Sequence, residues 1–268
     1  MTASKLRVPG EELGLFTDLY ELTMSQAFFQ QGMSATATFS LFTRTYPPNL
    51  AFFISAGLED VLEYLGNLHF SGRAIDYLRA TGIFSDEFFK YLSTVRFTGN
   101  VRAIPEGRLY FTDEPAVEIT APLIEAQLAE TFIINQVNLQ SMLATKAARC
   151  VWAAQGRGIT DFASRRTQGT DAALKMARAS YMAGFSSTSN VLAASLYGMP
   201  PAGTMAHSFV PSFPSELQAC RAYVMSFPTR TILLLDTYDT IAGTRNAVQV
   251  ATELETEGRQ LTACQLVT

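Results

Sequence analysis

From residue 159 onward the chain alternates, in short regular units, between apolar β-rich runs and helical runs. Expected strands cover 159–162, 184–188, 203–208, 231–236 and 260–267. Expected helices cover 171–182, 191–197, 215–225 and 244–256. Leu174, Ala177 and Tyr181 share one face of the first helix, and Leu217, Cys220 and Val224 one face of the third. Parallel strands need a crossover connection, normally a helix, so this alternation predicts parallel β/α architecture. The run 231–236 is continuously apolar, as in a strand buried on both faces. Five strands are visible where a closed barrel of this kind needs eight, so the pattern reads as an incomplete barrel.

The first part of the chain lacks that regularity. Residues 17–31 follow a helical period through Leu19, Leu22, Met24, Ala27 and Phe28, and 35–43 alternates like a strand. Short helices are expected at 58–65 and 72–81, the second closed by Gly82, and strands with turns between 97 and 109. A soft boundary at Pro115 divides the chain into an α+β N-terminal domain, 1–115, and a barrel-like domain, 116–268. The second opens with a long helix over 122–155, with Leu123, Gln127, Glu130, Ile134 and Val137 in step.

Composition removes several functions. Hydrophobic residues make up 48% and charged ones 16%, which is globular and not disordered. The net charge of −4 offers no general attraction to nucleic acid or an anionic membrane. Cys150, Cys220 and Cys264 are dispersed and odd in number, so they read as reduced thiols of a cytoplasmic protein. The first twelve residues have no apolar signal core, and no apolar run reaches membrane-spanning length.

Polar residues recur at the expected strand ends, where β/α folds place ligands: Phe162 with Arg165, Ser187 with Thr188, His207, and Asp236. The stretch 158–169 is a strand ending in an aromatic, two arginines and a helix-opening glycine. A ring that stacks beside a planar guanidinium fork is a seat for a flat carboxylate; equally, Phe162 is core and both arginines are solvated. His207 is a nucleophile or a hydrogen-bonded core residue, and Tyr20 a ligand or a helix-face core residue. Arg44 is an anion contact or an ordinary surface arginine. Asp239 is a ligand or a helix N-cap. His69 reads as structural. No nucleophile elbow, Walker loop or dinucleotide fingerprint is present.

Six segments in order resemble those of the nicotinate phosphoribosyltransferases. They are Thr17 to Met24, Phe39 to Arg44, Ala148 to Trp152, Asp161 to Gly169, Gly203 to Ser208, and Asp236 to Asp239. The resemblance implies an α/β fold: the α+β N-terminal domain followed by an incomplete, irregular (β/α) barrel of the type II phosphoribosyltransferase kind. It implies ATP-coupled condensation of nicotinate with phosphoribosyl pyrophosphate to nicotinate mononucleotide, in NAD salvage, with Mg2+ and ATP as co-substrate. It also implies a homodimer in which Tyr20 reaches the site of the other copy.

By the same resemblance, Tyr20 and Phe162 stack on the two faces of the pyridine ring, Arg165 meets its carboxylate or a phosphate, and Thr204 contacts nicotinate. Ser189 stands where nicotinamide-using relatives carry an aspartate; a neutral serine lifts a like-charge penalty and favours the acid over the amide. His207 matches a histidine phosphorylated by ATP, Arg44 holds donor phosphate, and Asp236 meets ribose hydroxyls or Mg2+ through water. These strand tips are expected to converge on one cavity. The family continues with an Arg-Leu-Asp-Ser-Gly-Asp segment and Gly-rich phosphate loops, neither of which is in residues 1–268. Activity is therefore expected to need that part. The alternative is an inactive remnant or dimerisation subunit of the same family.

Overall fold

A computed structural model describes residues 10–266. The chain divides into two compact units, Met1–Pro201 and Ala202–Thr268. In the first, α1 (Leu19–Gln30) leads to β1 (Thr36–Leu41), then β2 (Phe53–Ile54), α2 (Leu58–Gly66), α3 (Gly72–Ala80) and α4 (Asp86–Thr94). Next come β3 (Asn100–Ala103), β4 (Leu109–Tyr110), β5 (Val117–Pro122), α5 (Leu123–Ala154), β6 (Thr160–Asp161), α6 (Thr170–Met182), β7 (Ser187–Thr188) and α7 (Val191–Tyr197). The second holds α8 (Glu216–Ser226), β8 (Ile232–Leu234), α9 (Thr240–Thr256) and β9 (Ala263–Gln265). The mixed α/β class is as expected from the alternation.

The N-terminal sheet is antiparallel in the order β1-β5-β3. Inward residues of β5, Val117, Ile119 and Ala121, pack on Ala126, Ala129, Phe132 and Ile133 of α5. Because β5 is hydrogen-bonded on both edges, the expected boundary at Pro115 does not coincide with a break in packing; the compact units part after Pro201. Helix α5 also takes the place of a strand. The hydroxyls of Thr145 and Ser141 accept the N–H groups of Ile54 (2.9 Å) and Ala56 (3.3 Å), beside the two-residue pairing of β2 with β4. Buried polar groups on a helix are tolerable when they satisfy backbone in this way. At the start of α2, Gly57 has φ 97°, and a Cβ there would lie 2.9 Å from the Gln136 carbonyl oxygen. Both the left-handed conformation and the close approach require glycine.

The parallel portion is shorter than its pattern. β6 pairs with β7, and β8 with β9, each parallel; Pro201 adds an isolated parallel bridge to Thr188. The strand expected at 203–208 is absent: the segment is irregular until a 3-10 turn, His207–Ser212, which contains Pro211. Prolines at 200, 201 and 211 remove ladder donors on both sides of it. The strand expected through 162 stops at Asp161, and Ser164–Arg166 form a 3-10 turn, so Arg166 is not an alternating strand residue. No closed barrel forms among the described residues. The end of the expected strand 260–267 lies outside them.

Candidate functional site

At the β6 and β7 tips the chain turns sharply on both strands. Asp161, only 2% exposed, accepts the Ala163 N–H on Oδ1 (2.9 Å) and the Thr188 hydroxyl on Oδ2 (2.8 Å). Its carbonyl accepts the Ser189 N–H (2.8 Å). Asn190 then caps α7, its Oδ1 accepting from the Ala193 N–H at 3.1 Å. Beyond these tips lies an open cleft of about 540 Å³, lined in part by Ser164, Thr167, Gly169, Thr170, Ser189 and Asn190. Ser189 lines this cleft. Phe162, 46% exposed, and Arg165, also exposed, border the same turn without lining the cleft. An aromatic so exposed is not a core residue, which removes the packing alternative for Phe162.

Tyr20 and Arg44 belong to a different place. A cleft of about 300 Å³ between the sheet and α5 is lined by Phe39, Phe42, Arg44, Val117, Glu130 and Ile134 among others. Tyr20 is 49% exposed and donates its hydroxyl to Glu130 Oε1 at 3.4 Å. Local burial, then the charges of Glu130 and Glu21, push its phenol up to about 12. The buried position on α1 falls instead to Glu21, fully buried beside Leu22. Thr131 donates to Glu21 Oε1 at 2.7 Å, and the Thr17 hydroxyl donates to Oε2. Burial is the leading cause holding the Glu21 carboxyl above the ordinary range. The two clefts share no lining residue; Arg44 lines the second, and Tyr20 meets it through Glu130.

In the second unit, three expected residues gather at the C-terminal end of the β8–β9 pair. Thr204 donates its hydroxyl to Gln265, the last residue of β9. His207, half-buried, begins its 3-10 turn with Nδ1 3.3 Å from the Thr237 hydroxyl, just past β8. Asp236 is half-buried on that same β8 exit. Asp239 is the N-cap of α9, its Oδ1 accepting the Ala242 N–H at 2.7 Å. No group of three or more metal-binding side chains occurs among the described residues. Sequence reasoning missed Glu130, which lines the second cleft, and the buried acids Asp161 and Glu21. An acidic residue inside a strand pattern or on a buried helix face was the available signal.

The described elements make a mixed α/β protein with polar side chains at its parallel strand ends, where α/β folds place ligands. Residues 15–138 match the nicotinate phosphoribosyltransferase (NAPRTase) N-terminal domain. The chain is 54% identical over 240 residues to nicotinate phosphoribosyltransferase pncB2 of Mycobacterium tuberculosis, covering 90% of this chain and 52% of that protein. It is 38% identical over 245 residues to the Bacillus subtilis nicotinate phosphoribosyltransferase, covering 91% and 50%. The crystal structure of human nicotinic acid phosphoribosyltransferase superposes with a TM-score of 0.85 at 31% identity, over 92% of this chain and 60% of that one. Over 90% of its length the chain is similar to nicotinate phosphoribosyltransferases, and its residues 15–138 carry that family's N-terminal domain. It spans about half the length of these curated relatives. No helix among the described residues is long and apolar enough to cross a membrane.

Proposed function

We propose that this chain forms part of a nicotinate phosphoribosyltransferase, which joins nicotinate to phosphoribosyl pyrophosphate with ATP hydrolysis coupled through His207. The observation that carries the reading is the β6–β7 tip, where exposed Phe162 and Arg165 follow β6 and border the turn, and a neutral Ser189 lines the open cleft beyond it. Phe162 offers a ring face, Arg165 a planar donor for the carboxylate, and Ser189 no charge to repel it. Arg44, on a separate cleft of the same chain, and exposed Tyr20, bonded to Glu130 of that cleft, serve a neighbouring copy in a homodimer, Tyr20 stacking on the ring and Arg44 holding phosphate. In the second unit, phosphorylation of His207 at Nε2 leaves the Nδ1 contact with Thr237 in place. Thr204 contacts nicotinate from that unit.

Mg2+ would be held mainly by pyrophosphate oxygens, with Asp236 assisting through water. The finer architecture in this reading is an irregular (β/α) barrel of the type II phosphoribosyltransferase kind, completed by segments beyond these. The protein is cytoplasmic. The test supplies nicotinate, phosphoribosyl pyrophosphate, Mg2+ and labelled ATP to the chain, alone and with the C-terminal half of a relative. Label on His207, and its loss in His207→Ala, is the expected result. Label in neither arm overturns the catalytic assignment and leaves a dimerisation subunit.

A further inference from the structure

The β6–β7 ladder joins only two residue pairs, Thr160 with Ser187 and Asp161 with Thr188. So short a ladder does little to hold the loops that follow it. Asp161 supplies what the ladder lacks. One carboxylate oxygen holds the Ala163 N–H, fixing the turn between Phe162 and Arg165, and the other holds the Thr188 hydroxyl on the adjoining strand. The same Thr188 oxygen accepts the Asn190 N–H at 3.0 Å, and the Asp161 carbonyl accepts the Ser189 N–H. The brace thus reaches both sides of the cleft entrance. Its partners are a backbone amide and a hydroxyl, so a buried polar group is kept where an apolar residue would cost less desolvation. Retention of such a group beside a candidate site fits geometry better than stability.

We infer that Asp161 is a positioning residue: it sets the spacing of Phe162 and Arg165 from Ser189, and through it the preference for a pyridine acid over its amide. The inference rests on the nicotinate reading for its ligand, but not for the brace itself. Asp161→Ala, Asp161→Asn and Thr188→Val are compared with the parent chain by hydrogen exchange and by calorimetric titration with nicotinate and nicotinamide. Asp161→Ala speeds exchange in 162–169 and 188–191 while α1 and α8 stay protected. It weakens nicotinate binding about tenfold or more and narrows the acid-over-amide ratio, because small misplacements of positioning groups are costly. Asp161→Asn keeps an acceptor for Ala163 and donates to the Thr188 oxygen, so it recovers much of both properties. Thr188→Val loosens 188–191 more than 162–169. Unchanged exchange at either tip overturns the brace, and weaker binding with an unaltered acid-over-amide ratio overturns the specificity role. A parent chain that binds neither pyridine overturns both the substrate reading and the specificity role, and exchange alone then decides the brace.

Discussion

Glu106→Gln is expected to destabilise the first unit by about 3 kcal/mol through loss of one half-buried ion pair. The Glu106 carboxylate accepts the N–H groups of Gly57 (2.6 Å) and Leu58 (3.0 Å) at the start of α2. It also accepts from both Arg178 amino groups, at 3.2 and 2.7 Å, with the two side chains 18% and 19% exposed. A glutamine oxygen keeps the backbone donors, but its amide faces the guanidinium with the wrong polarity. The charge-assisted bond on Oε2, worth about 1.5–3 kcal/mol, is lost, the Arg178 contact on Oε1 persists without its charge, and the general cost of breaking a buried pair is of the same size. Arg178 also pairs with Glu59, but that carboxylate is 71% exposed, and such pairs contribute only about 0–1 kcal/mol.

The same pair has a pH signature. Burial alone would push the Glu106 carboxyl up, but the Arg178 hydrogen bond and charge and the two α2 N–H groups outweigh it and hold the carboxyl low. A depressed folded pKa contributes stability that is complete above the unfolded carboxyl value, about 4.3, and is lost as pH falls through the folded value. Urea unfolding followed by circular dichroism should show the full gap at neutral pH and a closing gap in acid. A melting shift of roughly 6–12 °C is the thermal counterpart. Adding Arg178→Met should recover much of the loss, because the uncompensated guanidinium is then gone. A neutral-pH gap below about 1 kcal/mol, or a gap that persists undiminished in acid, refutes the reasoning.

Three further outcomes are expected. Glu130→Gln removes a charge and an acceptor beside Tyr20 and should lower its phenol pKa from about 12, read by tyrosine-ring NMR with Tyr20→Phe for assignment; an unchanged titration contradicts the contact. Because burial raises the Glu21 carboxyl, its contribution falls as pH climbs from the unfolded value through the folded one. Glu21→Gln should flatten that fall and hold neutral-pH stability within about 1 kcal/mol of the parent, whereas a larger loss means the ionised form is favoured. At Gly243 an added Cβ would stand 2.0 Å from the Leu235 carbonyl oxygen, so Gly243→Ala should cost about 2–3 kcal/mol and loosen α9 in hydrogen exchange. Parent-like protection of α9 would count against that packing.

Much of the helical framework was legible locally. The expected helices at 191–197 and 72–81 correspond to α7 and α3, and the long 122–155 pattern to α5. Asp239 capping α9 is likewise a three-residue matter. The pattern missed α4 (Asp86–Thr94), although Ser85 caps it and Phe88, Phe89 and Leu92 fill its buried face. It also missed β5, where the approach to a proline-led helix hid a strand that fills the sheet centre. At the site, Ser189 was found in a cleft, whereas the acid beneath it at Asp161 was passed over as one letter of a motif.

The chain's α/β class, its helix limits and its family resemblance are decided by periodicity, caps and motif order, all of which act over a few residues. Which face of α1 is buried is not such a property. Glu21 goes inward and Tyr20 outward where the Thr131 hydroxyl, 110 positions along, joins the neighbouring Thr17 hydroxyl in satisfying the buried carboxylate. The joining of Asp161 to Thr188 across 27 positions is decided the same way. A polar group leaves water only where folding delivers a partner, and the identity of that partner is written in the packing and not in the neighbouring letters.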